Sequence, residues 1–156
     1  MGITKQFDDG MIQARVQKFQ ENLENAVLFV LKYLGESLVK YARDNHNYTD
    51  QTGNLTNSIS YAIVRNSKIV YSDEQTQPGE GAEAAKAVAI KYASTLPNSF
   101  SLIIVAGMNY AAYVESKGYN VILPAELKAK TEVPRMMNRI IEQAKEKANN
   151  LFGTAL

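Results

Sequence analysis

The chain lacks cysteine and tryptophan and has a single histidine, His46. Without thiols there can be no cysteine nucleophile, thiolate zinc site, iron–sulfur cluster or redox pair. One imidazole excludes a histidine-based metal cluster and leaves one candidate for a general base. Neither sign of charge dominates, with 17 basic side chains against 16 acidic ones. That balance argues against a broad nucleic-acid face, because counterion release from phosphates needs a marked excess of Lys and Arg. No apolar run approaches the length of a membrane span. The first ten residues carry Asp8 and Asp9 where a secretory leader would be hydrophobic, so no export signal is expected. No metal, cofactor, membrane or sequence-specific nucleic acid is expected as a partner.

What remains is a chain of 156 residues, 46% hydrophobic. A chain of this size buries roughly 70% of its unfolded surface and supports its own core, so a single domain over residues 1–156 is expected. From Met11 to about Asn45, apolar residues recur at steps of three and four (Ile12, Val16, Phe19, Leu23, Val27, Leu31, Leu34, Leu38), the pattern of a long amphipathic helix. Unbroken, it runs about 50 Å, more than a compact domain needs, so part of it is expected to project or to pack on another subunit. Gly35 is its one weak point, and two shorter helices with a bend are the alternative. Residues 45–54 are polar and rich in turn formers and read as an ordered loop. Leu55 to Val64 moves into strand-like alternation, and Lys68-Ile69-Val70-Tyr71 follows after Arg65-Asn66-Ser67, which suggests a hairpin. Residues 73–81 hold Pro78, Gly79 and Gly81 among acidic side chains and read as an exposed loop, and residues 1–10 as flexible. Ala82 to Thr95 is an Ala-rich helix closed by Pro97. Phe100 to Gly107 is a nearly continuous apolar run, expected to be the central strand. Met108 to Lys117 has helical spacing, with Gly118 placed to cap it. Tyr119 to Leu123 is a strand or an extended piece ended by Pro124. A last helix is expected from about Glu132 to Leu151, with Pro134 in its first turn. The sum is an α+β fold: a long N-terminal helix, a small mainly antiparallel sheet, and further helices packed on it, including a C-terminal one.

Few residues offer chemistry. A Ser-His-Asp site would need His46 with Asp44 or Asp50, yet no Gly-x-Ser-x-Gly elbow occurs, and a surface histidine at a helix C-terminus is the simpler reading. Asp73, Glu74, Glu80, Glu83 and Glu115 could supply a carboxylate pair or bind a divalent ion, but a Gly/Pro-punctuated loop holds carboxylates too loosely for catalysis. Glu115 differs because it sits within Tyr110-Ala111-Ala112-Tyr113-Val114-Glu115, where a structural hydrogen bond outranks catalysis.

Two segments, Tyr48-Thr49-Asp50-Gln51-Thr52-Gly53-Asn54-Leu55-Thr56-Asn57-Ser58-Ile59 and Asn109-Tyr110-Ala111-Ala112-Tyr113-Val114-Glu115-Ser116-Lys117-Gly118, together carry a likeness. They resemble a family of small tailed-bacteriophage proteins of the head–tail joining region, known as neck, tail-completion or minor tail components. In that family a Thr-Gly-x-Leu-x-x-Ser-Ile segment follows a long helix, and a Tyr-Ala-x-x-Val-Glu-x-Gly-like segment precedes a C-terminal helix. Thr52, Gly53, Leu55, Ser58 and Ile59 fill the first pattern; Tyr110, Ala111, Val114, Glu115 and Gly118 fill the second. The resemblance implies a non-enzymatic assembly part, present as a homo-oligomeric ring between portal and tail, with other phage head–tail proteins as partners. Its place would be the virion, and the bacterial cytoplasm during assembly. The loop residues Asp73, Glu74, Gln75 and Glu80 are then candidates to order on a neighbouring ring component. The motifs also have a purely physical reading. Gly53 permits a positive φ in a tight turn, Leu55 and Ile59 enter the core together, and Tyr110, Tyr113 and Val114 seat a short helix on the sheet. Two other classes compete: a small binding or inhibitor module without a ring, and a hydrolase using Glu115 or His46.

Overall fold

The computed structural model of the chain describes residues 8–74 and 76–153. It is α+β, in the order α1 (Asp9–Asp44), α2 (Asn54–Asn57), β1 (Ile59–Arg65), β2 (Lys68–Ser72), α3 (Glu80–Ala93), β3 (Ser101–Ala106), α4 (Ala111–Ser116) and α5 (Leu123–Phe152). By its contacts the chain divides into two compact units: residues 31–134, and the residues up to Val30 taken with those from Arg135 onward. Both long helices contribute to both units.

The unit of residues 31–134 is built on the sheet. Its strand order is β2-β1-β3, antiparallel throughout. The expected hairpin is present. Asn66 (φ 52°) and Ser67 (φ 62°) both take left-handed conformations, the two-residue turn whose twist matches the flanking strands, and Ser67 Oγ donates to the Leu96 carbonyl at 3.0 Å. The central strand is β1, not the apolar run that became β3. Successive strand side chains point to opposite faces, and in β1 both Tyr61 and Ile63 on one face and Ala62 and Val64 on the other are buried. Ser60 and Ala62 are small enough to hide this two-sided burial from a reading of hydrophobicity alone.

α1 is one continuous helix of 36 residues. It starts before Met11 because Asp8 caps it: the Asp8 carbonyl accepts from the Met11 and Ile12 amides and its carboxylate from Gly10 N at 3.3 Å. Of residues 1–10, therefore, Asp9 and Gly10 are helical, and residues 1–7 lie outside the described residues. The helix runs through Gly35 without a break. A methyl group there would fall 2.3 Å from the ring of Tyr61, so the absent side chain is what lets the β1 tyrosine lie flat against the helix backbone. Leu31, Leu34, Leu38, Val39 and Ala42 are buried around this contact. On α3, Ala85, Ala89 and Ala93 are buried, and their small size lets that helix approach the strands closely. Gly107, just after β3, comes so near that a Cβ would sit 2.2 Å from Ala85 N.

α5 begins at Leu123, nine residues before the expected start, so Pro124 opens a helix and ends no strand; residues 119–122 are not a strand. Pro134 lies in the helix interior, where it forfeits one backbone hydrogen bond. Contacts divide the chain just after that proline. In the other unit the first part of α1 and the second part of α5 pack on each other. The rings of Phe19 and Phe152 meet edge to face with centroids 6.0 Å apart, and Ile140 and Ala148 are buried.

A helix-interior glycine normally costs about 1 kcal/mol relative to alanine, so Gly35→Ala in an open helix would stabilise. Here the methyl must displace an aromatic ring. Gly35→Ala is expected to lower the unfolding free energy by about 1–3 kcal/mol in urea denaturation, while Gly10→Ala, which meets only ordinary contacts, leaves it unchanged or raises it. Gly35→Ala at or above wild-type stability would show that the ring contact does not fix the helix.

Candidate functional site

Two sequence segments that lie 50 to 60 residues apart in the chain meet on one side of the 31–134 unit. The first is organised around α2. Gly53 takes φ +76°, as its place in a tight turn requires, and its carbonyl accepts from Asn57 N at 2.9 Å. Thr52 Oγ1 accepts from Asn54 N at 3.2 Å. Leu55 and Ile59 are both buried, and Ser58, fully buried, donates through Oγ to the Leu55 carbonyl at 2.7 Å. The Ser58 carbonyl in turn accepts from Gly107 N at 3.1 Å, which ties this turn to the end of β3. From that end the chain runs directly into the second segment. Ala111 is buried and seats α4; Val114 is half-buried; Gly118 takes φ +89° and its amide closes the helix onto the Glu115 carbonyl. Thr52, Leu55, Tyr110 and Val114, with Tyr48 and Asp50, line one shallow depression of about 240 Å³.

Tyr113 does not seat α4 as the spacing suggested. It is 65% exposed, with Lys117 Nζ 5.2 Å from its ring centroid. Tyr110, which lines the depression, is also exposed, so the second segment shows two aromatic side chains to solvent.

The carboxylates near the site serve the fold. Glu115 Oε1 accepts three backbone amides, from Val121 at 3.3 Å, Ile122 at 3.1 Å and Leu123 at 2.6 Å. It thereby caps the start of α5, where orphan N–H groups and the helix dipole favour a negative charge. Asp50 plays the same part for α2, accepting from Thr56 N at 2.7 Å. Burial works against its ionised form, but the amides of Thr56, Leu55 and Gly53 and the Thr56 side chain outweigh it and hold the carboxyl below its ordinary range. Tyr48, buried beside it, shares a 3.1 Å hydrogen bond with Thr56 Oγ1, and burial pushes its phenol above the usual tyrosine range. In the sequence, Asp50 stands only as a possible partner of His46, and Tyr48 only as the start of the first motif segment; their parts as cap and buried hydrogen-bond partner are not legible in a loop whose composition signals only turns.

The remaining candidates are dispersed. His46 is exposed, with Nδ1 bonded to the Arg43 carbonyl and its ring 4.8 Å from that of Tyr48. Asp73 is not exposed. Its side chain is 3% accessible, and Oδ2 accepts from Arg43 Nη2 at 3.2 Å and from Thr76 Oγ1 at 3.0 Å. The same Arg43 nitrogen donates to the Ile59 carbonyl at 2.6 Å, so Asp73 and Arg43 fasten the end of β2 to α1 and β1. Glu80 belongs to the first turn of α3 and accepts from Asn54 Nδ2 at 3.0 Å, and Gly81 is buried against the Asn54 carbonyl, so the exposed loop is shorter than expected. Glu74 and Glu83 are exposed, and Gln75 lies outside the described residues. Among the described residues no group of three or more His, Asp or Glu is placed to hold a metal ion, and no helix is long and apolar enough to cross a membrane.

No protein-family model, curated protein or solved structure matches the chain.

Two outcomes test the capping assignments. Glu115→Ala, which strands three amides, is expected to cost about 1–2 kcal/mol in chemical denaturation, and Glu115→Gln, which keeps an acceptor, clearly less; equal stability for all three proteins would refute the cap. Asp50 has a depressed folded-state pKa, so its stabilisation is present above the unfolded value of about 3.9 and is lost as pH falls through the lower folded value. Unfolding free energies measured from pH 5 to pH 2 should decline less steeply for Asp50→Asn than for the wild type.

Proposed function

We propose that the protein is a non-enzymatic assembly component of a tailed phage or prophage, joining head and tail as one subunit of a ring. The observation that carries this reading is the meeting of the Thr52–Ile59 and Tyr110–Gly118 segments, the two that resemble the head–tail joining family, on a single surface. The second segment displays Tyr110, at the depression, and Tyr113 to solvent, and exposed aromatics are enriched in protein-binding patches. The hydrolase reading gains no support, since Glu115 is engaged by three backbone amides and His46 by a carbonyl. The partners are other head–tail proteins of the same particle, reached through the tyrosine-bearing face.

The test is complementation of a phage or prophage deleted for this gene. Wild-type protein should restore complete particles and should co-purify with a portal or tail-completion protein. Tyr113→Ala, which removes an exposed ring and leaves the core intact, should fold normally by circular dichroism and lower particle yield about tenfold or more. Full particle yield without the protein, or capture of none of the head–tail proteins, would contradict the proposal.

A further inference from the structure

Burial is distributed unevenly along the two long helices. In α1 every fully buried residue lies at Leu31 or beyond, and residues 8–30 bury none. Phe19, Leu23, Val27, Leu28 and Val30 are half-buried there, and Phe29 is 72% exposed. From Arg135 onward, α5 buries only Ile140 and Ala148 among the described residues, while the other buried apolar side chains all belong to residues 31–134. The unit that pairs residues 8–30 with residues 135–153 therefore rests on one isoleucine, one alanine and the edge-to-face contact of Phe19 with Phe152. Its open groove of about 370 Å³, whose lining includes Phe19, Leu23, Ile140 and Leu151, exists only while the two segments are helical and paired.

We infer that this helix pair is an order–disorder element: residues 9–30 and 135–152 fold and melt together while residues 31–134 stay folded. Ordering each residue costs backbone entropy, and two buried side chains are little to set against two segments of about 20 residues each. Helices of about that length are marginal in water unless burial supports them. The two segments differ in how they begin. α1 has its nucleus in the buried stretch from Leu31, so its first part need only propagate, at little gain per residue. α5 has no such continuity, because Pro134 leaves the Lys130 carbonyl without its helical amide, and the contacts divide the chain at that same place. The 135–152 segment is thus held by the α1 segment, which in turn takes from it what little burial it has. Loss of one releases the other, so the groove is presented and withdrawn as a whole. The inference does not rest on the head–tail reading, and it concerns a different surface from the tyrosine-bearing one.

The composition supplies separate probes. All nine tyrosines lie between Tyr33 and Tyr119, and there is no tryptophan. Near-ultraviolet tyrosine dichroism therefore reports on residues 31–134, whereas nearly half of the helical residues that far-ultraviolet dichroism detects lie outside them. In urea the far-ultraviolet signal should fall first, by somewhat under half, and the tyrosine signal only at higher concentration. In native-state hydrogen exchange, amides of residues 12–28 should exchange at least about 100-fold faster than those of residues 33–42 of the same helix. Ile140→Ala should speed exchange at residues 12–28 about tenfold and leave β1 unchanged; simple fraying of α1 would not respond to a substitution in α5. Pro134→Ala, which restores the missing amide, should move the first transition to higher urea. Coincident transitions, even protection along α1, or α1 amides indifferent to Ile140→Ala would each overturn the inference, as would loss of the tyrosine signal from the Ile140→Ala protein in buffer.

Discussion

The sheet-bearing unit depends on one close approach, the Tyr61 ring lying on the α1 backbone at Gly35. The contact brings the largest fully buried side chain of the core to the one residue of α1 that offers no Cβ against it. It fixes the height of the helix on β1 and, with it, the packing of Leu31, Leu34, Leu38 and Ala42 around the ring. The phenol keeps a partner, since Tyr61 donates to Glu36 Oε1 at 3.4 Å. Burial, with Glu36, Tyr71 and Asp73 close by, pushes its pKa well above the usual tyrosine range, so the ring stays neutral where it is needed. Arg43, two turns further along the same helix, then reaches the Ile59 carbonyl and Asp73. One helix thus holds both the middle of β1 and the end of β2.

A second theme is that the acidic side chains most suggestive of chemistry are engaged by backbone and by charge. Glu115 starts α5, Asp50 secures the turn before β1, and Asp73 answers Arg43. Each makes a charge-assisted bond worth more than a neutral one; Glu115 and Asp50 do so across six to eight residues, and Asp73 across 30. The two motif segments are consequently first a junction: Ser58 to Gly107, Asp50 to Thr56, and Glu115 to the amides of 121–123 bring the chain through one small volume. A surface with its backbone so firmly set presents Tyr110 and Tyr113 with little entropy to lose on docking, which suits an assembly part.

Where sequence and structure agree, the cause is local. The three- and four-residue spacing of α1, the Asn66-Ser67 turn, the left-handed glycines at 53 and 118, and the joint burial of Leu55 and Ile59 are each set by neighbours a few residues away. Where they part, the cause is tertiary. β1 is central because helices cover both its faces, a fact its Ser60 and Ala62 conceal, and β3 is an edge despite its apolar run. α5 begins at Leu123 because Glu115 caps it from a different helix, so Pro124 takes the first-turn place that spacing had assigned to Pro134, and Pro134 falls in the helix interior. Gly35 read as a flaw because its partner lies 26 residues later in β1. Asp73 read as a loop residue because Arg43 lies 30 residues earlier. The candidate site was legible as two motifs, but their contact, and the parts played by Tyr48 and Asp50, came only with the fold.

Native-state hydrogen exchange tests the dependence of the fold on the Gly35–Tyr61 approach most directly. If that contact holds the unit together, the amides of β1 and of residues 31–42 of α1 are the slowest to exchange, and they open with a single free energy equal to that of global unfolding. Amides of β1 that exchange through a separate, lower-energy opening while α1 stays protected would contradict it.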